Sequence, residues 1–265
     1  MNTKIISIVN QKGGVGKTTT TSNLATALAA IGKKMLIIDL DPQGNASTGF
    51  GISHKLRKKT IYDVLVSDVE ISAAVYKTEI PNLDIVTSSV DLAAAEIELI
   101  NEENREYILK SKIANIYNNY DYIMIDCPPS LGLLTINALA ASSSLIIPLQ
   151  CEFFALEGLS HLLNTCSLIQ KNLNNELVIE GIVLTMYDKR NRLTEQVEED
   201  VRNCLEGLVY NTVIPRNVRI SEAPSHGKPA IIYDLKCSGS LAYIHLAKEV
   251  LEREKKRIEN VKRNT

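Results

Sequence analysis

The chain has no tryptophan, only three phenylalanines and ten tyrosines in 265 residues. So few rings point away from a surface that holds nucleic-acid bases by successive aromatic stacking. Cysteine is equally sparse. Cys127, Cys151, Cys166, Cys204 and Cys237 are an odd number, widely scattered, with no C-x-x-C pair. That excludes a disulfide framework and offers no metal-site spacing, so the thiols read as reduced, as in a cytoplasmic protein. No uninterrupted apolar run reaches the roughly 18 residues of a membrane span, and the stretch Met1-Asn2-Thr3-Lys4 is expected to be too short for a signal peptide. Excess charge of one sign is also missing. Lys plus Arg number 29 and Asp plus Glu 31, a net charge of −2. This argues against a permanent polyanion binder, although a basic patch can sit within a balanced total.

What is present is the composition of an ordinary globular protein, 45% hydrophobic and 23% charged. A chain of this length buries roughly three-quarters of its unfolded surface and needs neither disulfides nor a structural metal. A single domain over residues 1–265 is expected. Short apolar runs at 5–9, 35–38, 83–86, 122–125, 145–148, 178–184 and 208–213 read as strands. Helical spacing between them covers 18–31, closed by Gly32, and 131–141, 155–171, 194–205 and 240–263. The alternation predicts an α/β fold, a mostly parallel twisted sheet with helices on both faces. Two charged segments interrupt it. Residues 53–59 carry His54, Lys55, Arg57, Lys58 and Lys59 and read as a solvated loop; the tail 252–263 alternates Glu with Lys or Arg, with only Ile258 and Val261 to offer a weak apolar face.

Three motifs carry chemistry. Directly after the first strand comes Lys12-Gly13-Gly14-Val15-Gly16-Lys17-Thr18-Thr19, leading into a helix. Its glycines let backbone N–H groups turn inward around phosphate oxygens, Lys17 is placed for the β/γ-phosphates, and the Thr18 hydroxyl for Mg²⁺. The strict G-x-x-x-x-G-K-[ST] pattern fails at its first glycine, where Gln11 stands, and a second lysine, Lys12, precedes Lys17 by five residues. The second motif is Asp39-Leu40-Asp41-Pro42-Gln43-Gly44-Asn45 at the end of the second strand. In extended backbone Asp39 and Asp41 point to the same side, at the carboxyl edge of the sheet, where such folds bind ligands. Two carboxylates there suit a Mg²⁺ shell and an attacking water. The third is the apolar run Tyr122-Ile123-Met124-Ile125 ending in Asp126, the Walker-B arrangement, followed by Cys127, Pro128 and Pro129. Cys127 reads as a small packed residue, with redox or metal chemistry as the alternative.

With these motifs in this order, the sequence resembles the ParA/Soj family of chromosome- and plasmid-partitioning ATPases. That family lies within the deviant Walker-A group of P-loop NTPases that also holds MinD and the nitrogenase iron protein. The resemblance covers nearly the whole chain and includes the stretches 39–46, 126–137 and 215–229, the last running Pro-Arg-Asn-Val-Arg-Ile-Ser-Glu-Ala-Pro-Ser-His-Gly-Lys-Pro. It implies a three-layer fold, the cofactors ATP and Mg²⁺, and a homodimer closed face to face by ATP. It assigns Lys12 to the partner's phosphates, the Lys12–Thr19 loop to nucleotide binding, and Thr18, Asp39 and Asp126 to the metal shell. Asp41, with Lys12 and Lys17, would serve hydrolysis, and Gly16 would permit close approach across the dimer. Met186, Pro215 and Asn217 would border the adenine.

The resemblance also implies non-specific binding of double-stranded DNA through Arg190 and Arg219, with Lys189 and Lys228 beside them, to phosphates rather than bases. It further implies stimulation by a ParB/Spo0J-type centromere-binding protein and a cytoplasmic, nucleoid-associated location. A MinD-like division-site regulator shares the core but needs an amphipathic membrane anchor, which the charged tail does not resemble; no membrane contact is expected. An iron–sulfur reductase would need paired interface cysteines, and a metabolic kinase would have no use for Lys12. The first strand starts too early to leave room for an N-terminal helix-turn-helix, so sequence-specific DNA recognition is not expected.

Overall fold

The polypeptide alternates between strand and helix because its apolar runs are buried on both faces. In this computed structural model, which describes residues 3–264, seven strands form one sheet. They are β1 Lys4–Ile8, β2 Met35–Asp39, β3 Val75–Lys77, β4 Leu83–Val86, β5 Tyr122–Asp126, β6 Ser144–Gln150 and β7 Val178–Thr185. Their order is β3-β4-β2-β5-β1-β6-β7, parallel throughout except for the β3–β4 pair. Side chains alternate between two cores. Ile5, Leu36, Ile38, Ile123, Ile125, Leu145 and Ile147 enter one; Ile6, Ile8, Met35, Ile37, Met124 and Ile146 enter the other. Each such side chain contributes about 1.5–3 kcal/mol on burial.

Helices Leu133–Ala141 and Ala155–Asn172 cover the first face through Leu134, Ala138, Leu159, Leu162 and Ile169. Helices Lys17–Ala30 and Ser238–Asn264 cover the second through Leu24, Leu28, Tyr243, Leu246 and Val250. The first of these is buried almost all round, which its small Ala and Thr residues permit. It ends where Gly32 adopts φ +86°, with Gly32 N donating to Ala29 O and Lys33 N to Leu28 O, the Schellman arrangement that Gly makes inexpensive. The apolar residues Ile258 and Val261 of the tail lie outside the residues whose side chains are described.

Two readings change. Residues 208–213 are not a strand: they touch β7 at one bridge, Ile182 to Val209, and again where Ile214 N donates to Leu184 O. Between these points Asn211 N and Thr212 N donate to the Glu249 carboxylate of the last helix, which takes the donors a ladder would use. Likewise the 53–59 loop is solvated at His54, Lys55, Lys58 and Lys59, but Arg57 turns inward and is only 7% exposed. The short antiparallel β3 gave no sequence signal; it pairs Val75, Tyr76 and Lys77 with Val86, Ile85 and Asp84.

Candidate functional site

The carboxyl ends of β1, β2, β5 and β6 lie side by side, and the three motifs follow β1, β2 and β5. The loop after β1 is held at both ends. Asn10 Nδ2 donates to Pro148 O at 2.7 Å and Asn10 Oδ1 accepts from Lys12 N at 2.9 Å. Val15 is buried, and its carbonyl accepts from Thr185 Oγ1 at 2.8 Å. Gly14 and Gly16 take φ +77° and +89°, a left-handed conformation that a side chain would strain. Gly16 stands at the N-terminus of helix Lys17–Ala30, so free N–H groups and the helix dipole point into the loop. Lys17 arches across the loop and donates Nζ to Lys12 O at 3.0 Å. Burial lowers its pKa, opposed by the negative field of Asp126 and Asp41.

Opposite the lysine stand the carboxylates. Asp39 and Asp126 are register neighbours on β2 and β5 and are both fully buried. Burial raises both pKa values; the Asp39 charge raises that of Asp126 further, and the Asp41 charge raises that of Asp39. Asp126 Oδ1 accepts from Thr21 Oγ1 at 3.1 Å, and the Thr18 hydroxyl also stabilises the carboxylate. Its Oδ2 is buried with no hydrogen-bond partner. An orphaned carboxylate oxygen beside a threonine hydroxyl is the oxygen-only donor set that a hard divalent cation takes. Among the described residues no group of three or more His, Cys, Asp or Glu forms a protein-only cage.

Asp39 is already engaged: Oδ2 accepts from Ser47 N at 2.8 Å and Ser47 Oγ at 2.6 Å, and Oδ1 faces Asp41 N at 3.4 Å. It therefore braces the loop after β2 as well as adding charge. Asp41, 8% exposed, accepts from Gln43 N at 2.9 Å, and its carbonyl accepts from Gly44 N. Cys127 is buried, and burial pushes its thiol pKa up, as for a packed, unreactive cysteine.

Lys12 lies at the rim, its side chain half exposed, paired with the Glu152 carboxylate. Both line a cleft of about 370 Å³ with Asn10, Leu149, Phe154 and Leu159. Phe153 and Phe154 stand beside it, 77% and 67% exposed, edge to face. Sequence reasoning missed Glu152, Ser47 and this aromatic pair. The Cys-Glu-Phe-Phe run directly after a strand of this sheet is the signal that could have found two of the three.

A further pair of loops closes the edge. Met186 follows Thr185 and takes φ +51°, rare for a non-glycine residue. Tyr187 N donates to Ile214 O and Arg216 N to Tyr187 O, which sets Tyr187, the residue after Met186, opposite Pro215. Asn217 caps helix Val218–Glu222, accepting from Arg219 N and Ile220 N, while its Nδ2 donates to Ser238 Oγ. Arg190 and Lys189 are exposed on the first loop, Arg219 on the short helix Val218–Glu222 that follows the second. Both arginines are paired: Arg190 is bidentate to Asp188 at 2.9 Å, and Arg219 bonds Glu222 at 2.9 Å with Asp234 at 3.6 Å. Lys228 is exposed on the 223–229 turn, in a crevice it shares with Thr18, Thr19 and Asn45.

The AAA_31 family, described as AAA domain, matches residues 3–179. The sporulation initiation inhibitor protein Soj of Bacillus subtilis is 56% identical over 93% of this chain and 98% of its own length. The chromosome partitioning protein ParA of Caulobacter vibrioides is 54% identical over 96% of each. Among solved structures, cobyrinic acid a,c-diamide synthase from Mycobacterium smegmatis with bound ATP analog and magnesium superposes with a TM-score of 0.84, 36% identity and 96% of each chain covered.

Proposed function

Because this chain belongs to the ParA/Soj family of partitioning ATPases, in the AAA_31 group, we propose that it is an ATP-driven DNA-segregation switch. In this reading ATP closes two copies face to face, the closed pair binds double-stranded DNA without sequence preference, and hydrolysis releases it. The observation that carries the reading is the juxtaposition of Asp126 Oδ2, buried and without a partner, with the glycine loop and a second lysine at its rim.

Each residue then has a task. The loop from Gly13 to Thr19 cradles the phosphates with backbone N–H groups, and Lys17 exchanges the Lys12 carbonyl for the β/γ-phosphates. Thr18 and Asp126 would hold Mg²⁺, Asp126 through water or the Thr18 hydroxyl, with Asp39 also serving the shell. When bound, the ion neutralises charge on the phosphates. Asp41 orients the attacking water. Lys12 leaves Glu152 and reaches the partner's phosphates, which makes closure depend on ATP. Met186, Pro215 and Asn217 border the adenine. The protein thus acts as an ATP hydrolase, with residues 1–265 as one ParA-type domain. A relative solved with an ATP analog and magnesium supports the choice of nucleotide and ion.

For DNA, a net charge of −2 gives one copy little attraction to a polyanion. Arg190 and Arg219 must also give up Asp188, Glu222 and Asp234 for phosphates. Two copies side by side double the number of arginines without changing either. Lys189 and Lys228 add to the surface. No described helix is long and apolar enough to cross a membrane, and we place the protein in the cytoplasm on the nucleoid, with a ParB/Spo0J-type partner stimulating hydrolysis.

Arg219→Glu tests the DNA surface. The variant is expected to dimerise with ATP as the native chain does, while its DNA affinity collapses. For the milder Arg219→Ala, the log–log salt slope should fall by about 2, one phosphate contact per copy. Loss of dimerisation as well would assign Arg219 to the fold or the dimer face instead.

A further inference from the structure

Arg57 is a buried cation whose bonds are all to neutral partners. Nε donates to Ile52 O at 3.0 Å, Nη1 to Ser88 O at 3.0 Å, and Nη2 to Thr48 Oγ1 at 2.8 Å and Gly44 O at 3.4 Å; His54 Nδ1 lies 3.3 Å from Nη1. Among the described residues no carboxylate lies within ion-pair distance of it, and burial lowers its pKa, opposed by the field of Asp39. Burying a guanidinium is costly unless its hydrogen bonds are satisfied, and here all but the one to Ser88 O go to the segment that follows Asp41.

That segment is short and tightly coupled. Asp41 O accepts from Gly44 N at 2.9 Å and Gly44 O accepts from Thr48 Oγ1 at 3.0 Å, so a shift of Gly44 passes to Asp41 through one turn. Gly44 takes φ +62°, and a Cβ there would come within 2.4 Å of Arg57 Nη1, so guanidinium and turn are packed in contact. Ser88, just beyond β4, is fastened twice: its carbonyl to Arg57, and its N–H to Ser47 Oγ, which itself donates to Asp39. The two routes tie both aspartates of the second motif to the rigid end of a strand.

We propose that Arg57 is a positioning residue for hydrolysis, a clamp that fixes the turn carrying Asp41 against the end of β4. The inference rests on the reading of Asp41 as the residue that orients the attacking water. Lysine cannot substitute, because one ammonium on a flexible stem does not present a planar fork to carbonyls lying in divergent directions. The clamp acts on the water-orienting turn and leaves the phosphate loop, fastened through Asn10 and Thr185, untouched.

The test is steady-state ATP hydrolysis by the full chain with saturating duplex DNA, for Arg57→Gln, Arg57→Lys and Thr48→Val, with ATP-dependent dimerisation measured by light scattering. Arg57→Gln is expected to lower kcat about ten- to a hundredfold, with KM for ATP within about twofold and the dimer retained. Arg57→Lys should recover little of the loss. In single-turnover assays of an Asp41→Ala background, adding Arg57→Gln should cost nothing more. Native kcat in Arg57→Gln, or an equal loss in both backgrounds, overturns the proposal. If Arg57→Gln does not fold, Thr48→Val carries the test: a severalfold fall in kcat supports the clamp and an unchanged kcat overturns it. If Asp41→Ala itself hydrolyses at the native rate, the reading of Asp41 fails rather than the geometry of the clamp.

Discussion

Asp41→Ala should bind ATP, dimerise and remain on DNA while hydrolysis falls on the order of 10²–10⁴-fold, the usual contribution of a group that orients or deprotonates a nucleophile. The side chain sits at the carboxyl edge beside the glycine loop, yet its own anchoring is light. One oxygen accepts from Gln43 N, and the turn is also closed through the Asp41 carbonyl, which alanine keeps. The substitution therefore removes the carboxylate proposed to orient the water without dismantling the loop. Asp39 could not be exchanged so cleanly, because its carboxylate takes two bonds from Ser47 in a fully buried place. Phosphate release, light scattering and a gel shift on the same preparation separate the outcomes. A variant that neither dimerises nor binds DNA contradicts the assignment of Asp41 to the chemical step.

Lys12→Ala is the second large effect. It should bind ATP yet stay monomeric. What Lys12 does within its own loop it does through the backbone: its N–H donates to Asn10 Oδ1 and its carbonyl accepts from Lys17 Nζ. Alanine preserves both, so the phosphate loop should persist. The side chain in the free chain does no more than pair with Glu152 at a half-exposed rim, which is worth little. Its proposed value lies across the dimer, on the partner's phosphates. Losing a desolvated charge-assisted contact costs about 2 kcal/mol or more, and the dimer has two. The ATP-dependent dimer should weaken on the order of 10³-fold. Equilibrium sedimentation with ATP and with ADP measures it, and a Lys12→Ala dimer as tight as the native one contradicts the role.

How much of this was legible before the fold was known follows from where the physics is local. The glycine loop, Asp39 and Asp126 could be placed because each ends an apolar strand, and parallel strands bring such ends to one edge. The 208–213 stretch has the same β-rich composition and is not a strand, because Glu249, nearly forty residues later, takes its N–H groups. No local rule contains that competition. Arg57 stood among four solvated charges and was read with them; its burial depends on Ser88, thirty-one residues away. Glu152 became visible only when β6 was set beside β1, which brings the residues after each strand to one rim. Met186, Pro215 and Asn217 rest on resemblance alone; the Tyr187–Pro215 bridge, between residues far apart in sequence, joins the two loops that carry them.

The central claim is that nucleotide state gates DNA contact. Fluorescence anisotropy of a labelled random-sequence duplex, titrated with the native chain at fixed salt in ATP with Mg²⁺ and in ADP with Mg²⁺, tests it most directly. The account predicts binding at least about tenfold tighter with ATP, and weaker as salt rises. Equal affinity in the two nucleotides would contradict it.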